Sequence, residues 1–136
     1  MKQSLMLTIT SLLSILFVTF HLADDILFGM ASPRLANLFA VLVLVIWLYG
    51  TLVLAERRAG YIIILLGSLL GLLVPVIHMK GARGVLGGEI GNSPQAFFFV
   101  WTLLALGVTS MFSALLSAQG LWRLPWRRSR RASTAA

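Results

Sequence analysis

Four long apolar stretches dominate the hydrophobic pattern of the chain. They run approximately over residues 4–23, 35–54, 60–79 and 95–118, and none has a charged side chain in its interior. Each is close to the ~20 residues that a helix needs to cross ~30 Å of hydrocarbon. Because no water is present at that depth to bond the backbone, each stretch is predicted to be a helix. The predicted fold is therefore an all-α integral membrane protein, a four-helix transmembrane up-down bundle.

Composition supports this class and leaves little room for another domain. Of 136 residues, 59% are hydrophobic and 11% are charged, whereas soluble domains have roughly 45–50% apolar residues. We predict one transmembrane domain over residues 1–120, followed by a basic tail over 121–136. The chain has no cysteine, which excludes thiolate catalysis, disulfide exchange and cysteine-ligated iron–sulfur clusters.

The net charge of +7 follows membrane topology, so we predict no nucleic-acid partner. Basic residues beside the termini and the middle connection are Lys2, Arg57, Arg58, Arg123, Arg127, Arg128, Arg130 and Arg131. The other two connections hold Arg34, Lys80 and Arg83. Since cytoplasmic segments carry the excess of Lys and Arg, both termini are predicted to be cytoplasmic, in a bacterial inner membrane. Residues 24–34 and 80–94 are then external.

The first apolar stretch also has some features of a signal peptide. One lysine precedes a long apolar run that ends at His21-Leu22-Ala23. However, the run is longer than the usual ~7–15 residues, and histidine is a poor residue three positions before a cleavage site. We therefore expect residues 1–23 to remain as the first helix, with cleavage after Ala23 as the alternative.

Small residues recur at the spacing of one helical turn in the third and fourth stretches. Gly67 and Gly71 form a GxxxG pair, and Gly107, Ser110 and Ala114 have similar spacing. Small side chains allow helix backbones to approach closely, which replaces the hydrophobic driving force that lipid removes. We expect these residues to pack the third helix on the fourth, with a homo-oligomeric interface or a larger membrane complex as the alternative.

The segment after the fourth stretch combines tryptophan with arginine. Tryptophan prefers the headgroup layer, and each arginine contributes about 1 kcal/mol near anionic lipid. The segment is therefore predicted to anchor the chain at the interface and to bind anionic headgroups. Its anchoring residues are Trp122, Arg123, Trp126, Arg127, Arg128, Arg130 and Arg131.

The candidate chemistry lies at the external ends of the first and third stretches. At ~100° per residue, His21, Asp24 and Asp25 share one helix face, His78 ends the third stretch, and Glu89 lies in the loop that follows. Imidazole and carboxylate ligands would suit Zn²⁺, Mn²⁺, Fe²⁺ or Ni²⁺. A bis-histidine haem b fits poorly beside carboxylates. The remaining alternative has no cofactor, with hydrated aspartates at a loop start and His21 capping its helix.

No motif in the chain specifies a reaction. There is no HExxH protease sequence, no phosphate-binding loop and no mid-membrane carboxylate, although a proton-coupled small exporter needs such a carboxylate. The leading hypothesis is a non-catalytic accessory or assembly subunit. The alternative is an external-face membrane protein that binds a divalent metal, or handles ions or protons, through the His/Asp residues.

Overall fold

The structure is a computed structural model that describes residues 2–27, 35–79 and 96–124. The regular secondary structure in these ranges is entirely helical, which confirms the predicted all-α class. The helices are α1 (Lys2–Leu27), α2 (Leu35–Leu52), α3 (Arg58–His78) and α4 (Ala96–Arg123). Three helices are long and apolar enough to cross a membrane, over Gln3–Leu27, Arg58–His78 and Ala96–Arg123. The described part of α2 adds a shorter apolar segment, Leu38–Leu52.

Two helices extend beyond the apolar stretches from which they were predicted. α1 ends at Leu27 rather than near residue 23, and α4 ends at Arg123 rather than near 118. The reason is that helical hydrogen bonds join backbone groups and tolerate polar side chains at a helix end. As a result, Asp24 and Asp25 stand at helical positions relative to His21 and do not begin a loop.

The four helices contact one another in a ring. Each helix packs on the next, α4 packs on α1, and α1 also touches α3 across the ring, whereas the backbones of the described parts of α2 and α4 do not approach each other. α2 and α3 run in opposite directions, since Trp47 lies at Gly67 while Gly50 lies at Ile63. α3 and α4 do so as well, since Pro75 lies at Gly107 while Tyr61 lies at Gly120. α4 and α1 are also antiparallel, since Phe20 lies beside Phe98 while Gln3 bonds to Arg123. α1 and α3 therefore run in the same direction, and their C-terminal turns lie at the same end of the protein.

A five-residue turn over residues 53–57 connects α2 to α3. The Arg57 N–H donates to the Leu54 carbonyl at 3.0 Å, and Glu56 has a left-handed backbone with φ of 64°. The turn brings that same carbonyl against Gly60, where a Cβ atom would lie only 2.0 Å from the Leu54 oxygen. A glycine at position 60 is thus required for the tight approach of the two helices.

Hydroxyl and indole groups join α1 to α2 in the buried interior. The Trp47 indole N–H donates to Ser11 Oγ at 2.9 Å, and the Thr51 hydroxyl donates to the Trp47 carbonyl at 2.9 Å. Because the Thr51 hydroxyl proton is used in this bond, the Thr51 Oγ1 atom accepts a hydrogen bond from the Ser11 hydroxyl at 2.7 Å. All three side chains are buried, so each link satisfies a polar group that would otherwise be costly in an apolar interior.

Small residues allow α3 to contact two neighbours closely. Gly67 lies under the Trp47 ring of α2, and Gly71 lies against the Ser110 hydroxyl of α4. Close to these contacts, the Ser68 hydroxyl of α3 donates to Ser113 Oγ of α4 at 2.8 Å. Of the GxxxG pair predicted to pack α3 on α4, Gly71 thus contacts α4 and also the edge of the Trp47 ring, whereas Gly67 contacts α2.

The two remaining small residues of α4 are less tightly packed. A Cβ atom at Gly107 would make only an ordinary 3.5 Å contact with Pro75. Ala114 is half-buried, and its carbonyl accepts a 3.0 Å hydrogen bond from Ser117. These two positions therefore tolerate more volume than Gly67 or Gly71.

We expect Gly67→Ala to destabilise the protein and Gly107→Ala to leave it unchanged or slightly stabilised. A Cβ atom at Gly67 would lie 2.4 Å from the Trp47 ring, and the indole cannot move away without losing its bond to Ser11. Overpacking of this kind costs about 1–3 kcal/mol, whereas helix propensity alone favours alanine by about 1 kcal/mol. Thermal unfolding in detergent, followed by circular dichroism, measures both variants. Equal midpoints for the two would contradict the predicted packing.

Candidate metal centre at the ends of helices α1 and α3

His21 and Asp25 lie one turn apart on α1 and face the interior. The His21 side chain is only 3% exposed, and its Nε2 atom lies 3.7 Å from Asp25 Oδ2. Residues four apart on a helix are neighbours on its surface, so α1 alone sets this pair. Both ring nitrogens of His21 lack a hydrogen-bond partner among the described residues.

His78 contributes the third group from the last turn of α3. Its Nδ1 atom lies 2.9 Å from the Val74 carbonyl oxygen. A carbonyl only accepts, so the hydrogen bond requires a proton on Nδ1 and leaves a lone pair on Nε2 in the neutral ring. That Nε2 atom lies 3.6 Å from Asp25 Oδ1. The lone pair of His78 and a carboxylate oxygen therefore face the same point.

The Asp25 carboxylate lies between the two imidazoles and contacts one with each oxygen. Neither contact, at 3.6 and 3.7 Å, is short enough to be a hydrogen bond. One ligand atom from each of His21, Asp25 and His78 lies within 4.8 Å of the others. Two ligand atoms that bind one tetrahedral ion at ~2.1 Å are about 3.4 Å apart. The three side chains are thus nearly at the spacing that one metal ion requires.

Phe99 of α4 closes the inner side of the cluster. It is fully buried, and its ring centroid lies 4.9 Å from that of His21 and 5.9 Å from that of His78. The two imidazoles themselves meet edge to face, with centroids 4.6 Å apart. The aromatic enclosure fixes the ring orientations and reduces the access of water to the cluster.

A cavity of about 360 Å³ begins at the cluster and extends between α1, α2 and α3. His21, Asp25 and His78 form its polar end, while Trp47 and Gly71 lie at its deeper end. The remaining wall is apolar and comes from all three helices, including Ala40 and Val43 of α2. The cavity is lined by three helices, so it depends on the packing of α2 as much as on the cluster itself.

The predicted site residues do not all reach this centre. Asp24 has a buried carboxylate oxygen with no hydrogen-bond partner among the described residues, but it does not belong to the group of three. At ~100° per residue it lies about 60° from His21 around α1, on the opposite side from Asp25. Glu89 falls outside the described residues.

The interfacial anchor is described only in part. Trp122 is 91% exposed at the end of α4, and Arg123 donates a hydrogen bond to the Gln3 side chain of α1. The other predicted anchoring residues lie outside the described ranges, namely Trp126, Arg127, Arg128, Arg130 and Arg131.

Two important residues of the site were not predicted from the sequence. Phe99 is the third of three consecutive phenylalanines, and no pattern distinguishes it from Phe97 and Phe98, which are exposed. Trp47 is one of the four tryptophans of the chain, and the apolar stretch in which it lies has no polar pattern that singles it out. The one available signal was the spacing of Ser11 and Ser14 on α1, which marks a polar face on which an indole N–H would find a partner.

Comparison of the chain with protein-family models, with curated proteins and with solved structures gives no match.

We expect neutral His78 to carry its proton on Nδ1 in the metal-free protein. The 2.9 Å hydrogen bond to the Val74 carbonyl selects this tautomer because the carbonyl cannot donate. Nitrogen-15 NMR of the imidazoles, at a pH where both rings are neutral, distinguishes the tautomers, and His78→Gln assigns the signals. An Nε2-protonated His78 would contradict the arrangement.

Proposed function

We propose that the protein is an integral membrane protein that binds a divalent transition-metal ion through His21, Asp25 and His78. The observation that carries the proposal is the convergence of one ligand atom from each residue within 4.8 Å. The ligands come from two different helices, and the predicted Nδ1 tautomer of His78 directs a free lone pair toward the other two. Metal-binding histidines commonly have their second nitrogen fixed by such a carbonyl.

The ligand set restricts the class of ion. Two imidazoles and one carboxylate favour borderline ions such as Zn²⁺, Mn²⁺, Fe²⁺ or Ni²⁺ over soft Cu⁺, which prefers thiolate and thioether ligands. With three protein ligands the ion would retain an open position for water or another molecule. Haem b is a poor alternative, because the edge-to-face imidazoles, 4.6 Å apart, leave no room for a porphyrin between them.

The proposal includes four membrane crossings with both termini in the cytoplasm, in a bacterial inner membrane. The ring of antiparallel neighbours supports four crossings, with α2 as the shortest. The distribution of Lys and Arg supports the orientation. The metal centre then lies near the external surface, and the Trp/Arg segment after α4 contacts anionic headgroups on the cytoplasmic side.

The orientation can be tested by cysteine labelling, since the natural chain has no cysteine. We expect a membrane-impermeant maleimide to label Gly29→Cys and Gly87→Cys in intact cells, and to label Ala55→Cys only after the membrane is permeabilised. Ala55 is an exposed residue of the α2–α3 turn, so a buried thiol would not explain its protection. The reverse labelling pattern would contradict the proposed topology.

Metal binding should depend on each of the three residues. We expect about one metal ion per chain in the detergent-purified protein, and its loss in His21→Ala, Asp25→Asn and His78→Ala. Removal of a residue behind the ligands typically costs 10–100-fold in affinity, so removal of a ligand should cost more than about 100-fold. Plasma mass spectrometry gives the stoichiometry and the identity of the ion, and Co²⁺ titration followed by its visible absorption gives affinities.

Asp24→Asn is the matched control for Asp25→Asn. The two substitutions remove the same charge from adjacent positions of α1, but Asp24 stands outside the group of three. We expect Asp24→Asn to retain the metal with nearly the parental affinity. Background metal in the parent, together with no Co²⁺ binding, would refute the proposal and favour the accessory or assembly subunit, which is the leading hypothesis from the sequence. Equal loss in both asparagine variants would show that only the overall negative charge matters.

A further inference from the structure

The cavity below the cluster is larger than a metal ion requires. Its volume is about 360 Å³, whereas a water molecule occupies about 30 Å³ of the liquid. A bound ion with one or two waters would therefore fill only the polar end. The remaining volume is in the range of small-molecule sites, which are about 300–1,000 Å³ and mostly apolar with a few polar groups.

The polar end offers mainly hydrogen-bond acceptors and a negative charge. Asp25 Oδ1 is buried and without a hydrogen-bond partner among the described residues, and the His78 Nε2 lone pair faces it. Among the described residues that line the cavity there is no Lys or Arg. The described arginines on α3 and its preceding turn, Arg57 and Arg58, lie at the other end of α3, about 30 Å away by helix length. The described lining therefore favours an occupant that brings hydrogen-bond donors and positive charge.

The apolar part of the cavity opens between α2 and α3. Its most exposed lining residues are Phe39 and Ile77, at 68% and 66%, and they come from these two helices. Both belong to apolar helices that present hydrocarbon side chains on their outer faces. In a membrane, the opening would face lipid, so that a hydrophobic molecule could enter sideways while its polar group reaches the cluster.

We propose that this cavity binds amphiphilic primary amines, each with a protonated amino group on a hydrocarbon body. The ammonium group has three N–H donors and no acceptor, which matches the carboxylate and the imidazole lone pair. The hydrocarbon body lies along Ala40 and Val43 toward Trp47. The site is independent of the metal proposal, although both ligands need Asp25 and therefore compete.

The test compares 4-phenylbutylamine with 4-phenylbutan-1-ol on the full chain in zwitterionic lipid nanodiscs. Isothermal titration calorimetry measures binding, and heats from empty nanodiscs are subtracted. The two probes share a hydrocarbon body, but only the amine is charged at neutral pH. We expect the amine to bind more than tenfold tighter, since a hydrogen bond to a charged group contributes at least about that factor. Asp25→Asn should remove this preference.

A matched pair of α2 variants tests the location. Ala40→Phe fills the cavity and should weaken amine binding more than tenfold, whereas Val41→Phe adds the same ring at an exposed position outside the cavity and should not. Equal affinities for amine and alcohol would overturn the proposal and indicate that the cavity holds any hydrocarbon chain. Equal amine affinities in the two phenylalanine variants would also overturn it. The amine–alcohol comparison needs no variant, so it remains decisive if Ala40→Phe fails to fold.

The outcomes also separate this proposal from the metal centre. Amine binding without Co²⁺ binding would refute the metal proposal alone. Co²⁺ binding without a preference for amine over alcohol would refute the amine proposal alone. If both ligands bind, added Zn²⁺ should raise the apparent dissociation constant of the amine linearly with the Zn²⁺ concentration. The reason is that the two ligands compete for the Asp25 carboxylate.

Discussion

The hydrogen bond from the Trp47 indole to Ser11 is the interaction on which the candidate site most depends. Between helices in lipid there is little hydrophobic driving force, so packing and buried hydrogen bonds must hold them. This bond, extended through Thr51, fixes α2 on α1 and sets the indole over Gly67. Trp47 then forms the deeper end of the cavity. Without this link α2 would lose its buried hydrogen bonds to α1, and with them the support of the cavity wall that α2 provides.

The cluster itself depends on local geometry in two helices and on their parallel direction. The i, i+4 relation sets Asp25 beside His21 on α1. Pro75, three residues before His78, has no N–H to give to the Gly71 carbonyl, and His78 lies in the turn that follows. Because α1 and α3 run in the same direction, the His21–Asp25 pair of α1 and the last turn of α3 meet at the same end of the protein. The same architecture that aligns the helices therefore also brings the imidazoles together.

The sequence predicted the helical class, the apolar stretches and the polar face of α1, because these depend on composition and on a 3.6-residue period. It could not decide whether Asp24 or Asp25 would join His21, since both lie within ~60° of it and the choice depends on where α3 packs. It also could not select Phe99 from three consecutive phenylalanines or Trp47 from an apolar stretch. Those choices arise from tertiary packing, in which Gly67 and Gly71 both lie at Trp47 but only Gly71 also contacts α4. The 3.6-residue period of a single helix does not specify which neighbouring helix each residue contacts.

The hydrogen bond between Gln3 and Arg123 has a consequence for how the chain is connected. It joins the first turn of α1 to the last turn of α4. The ring of helices is therefore held at this point by a side-chain contact, as it is held between α2 and α3 by a covalent turn. A short peptide between these two ends would therefore replace a contact that already exists. New termini could then be opened in the turn at residues 53–57. Circular permutation of this kind should preserve the ring of helices, since the order of neighbours does not depend on where the chain begins.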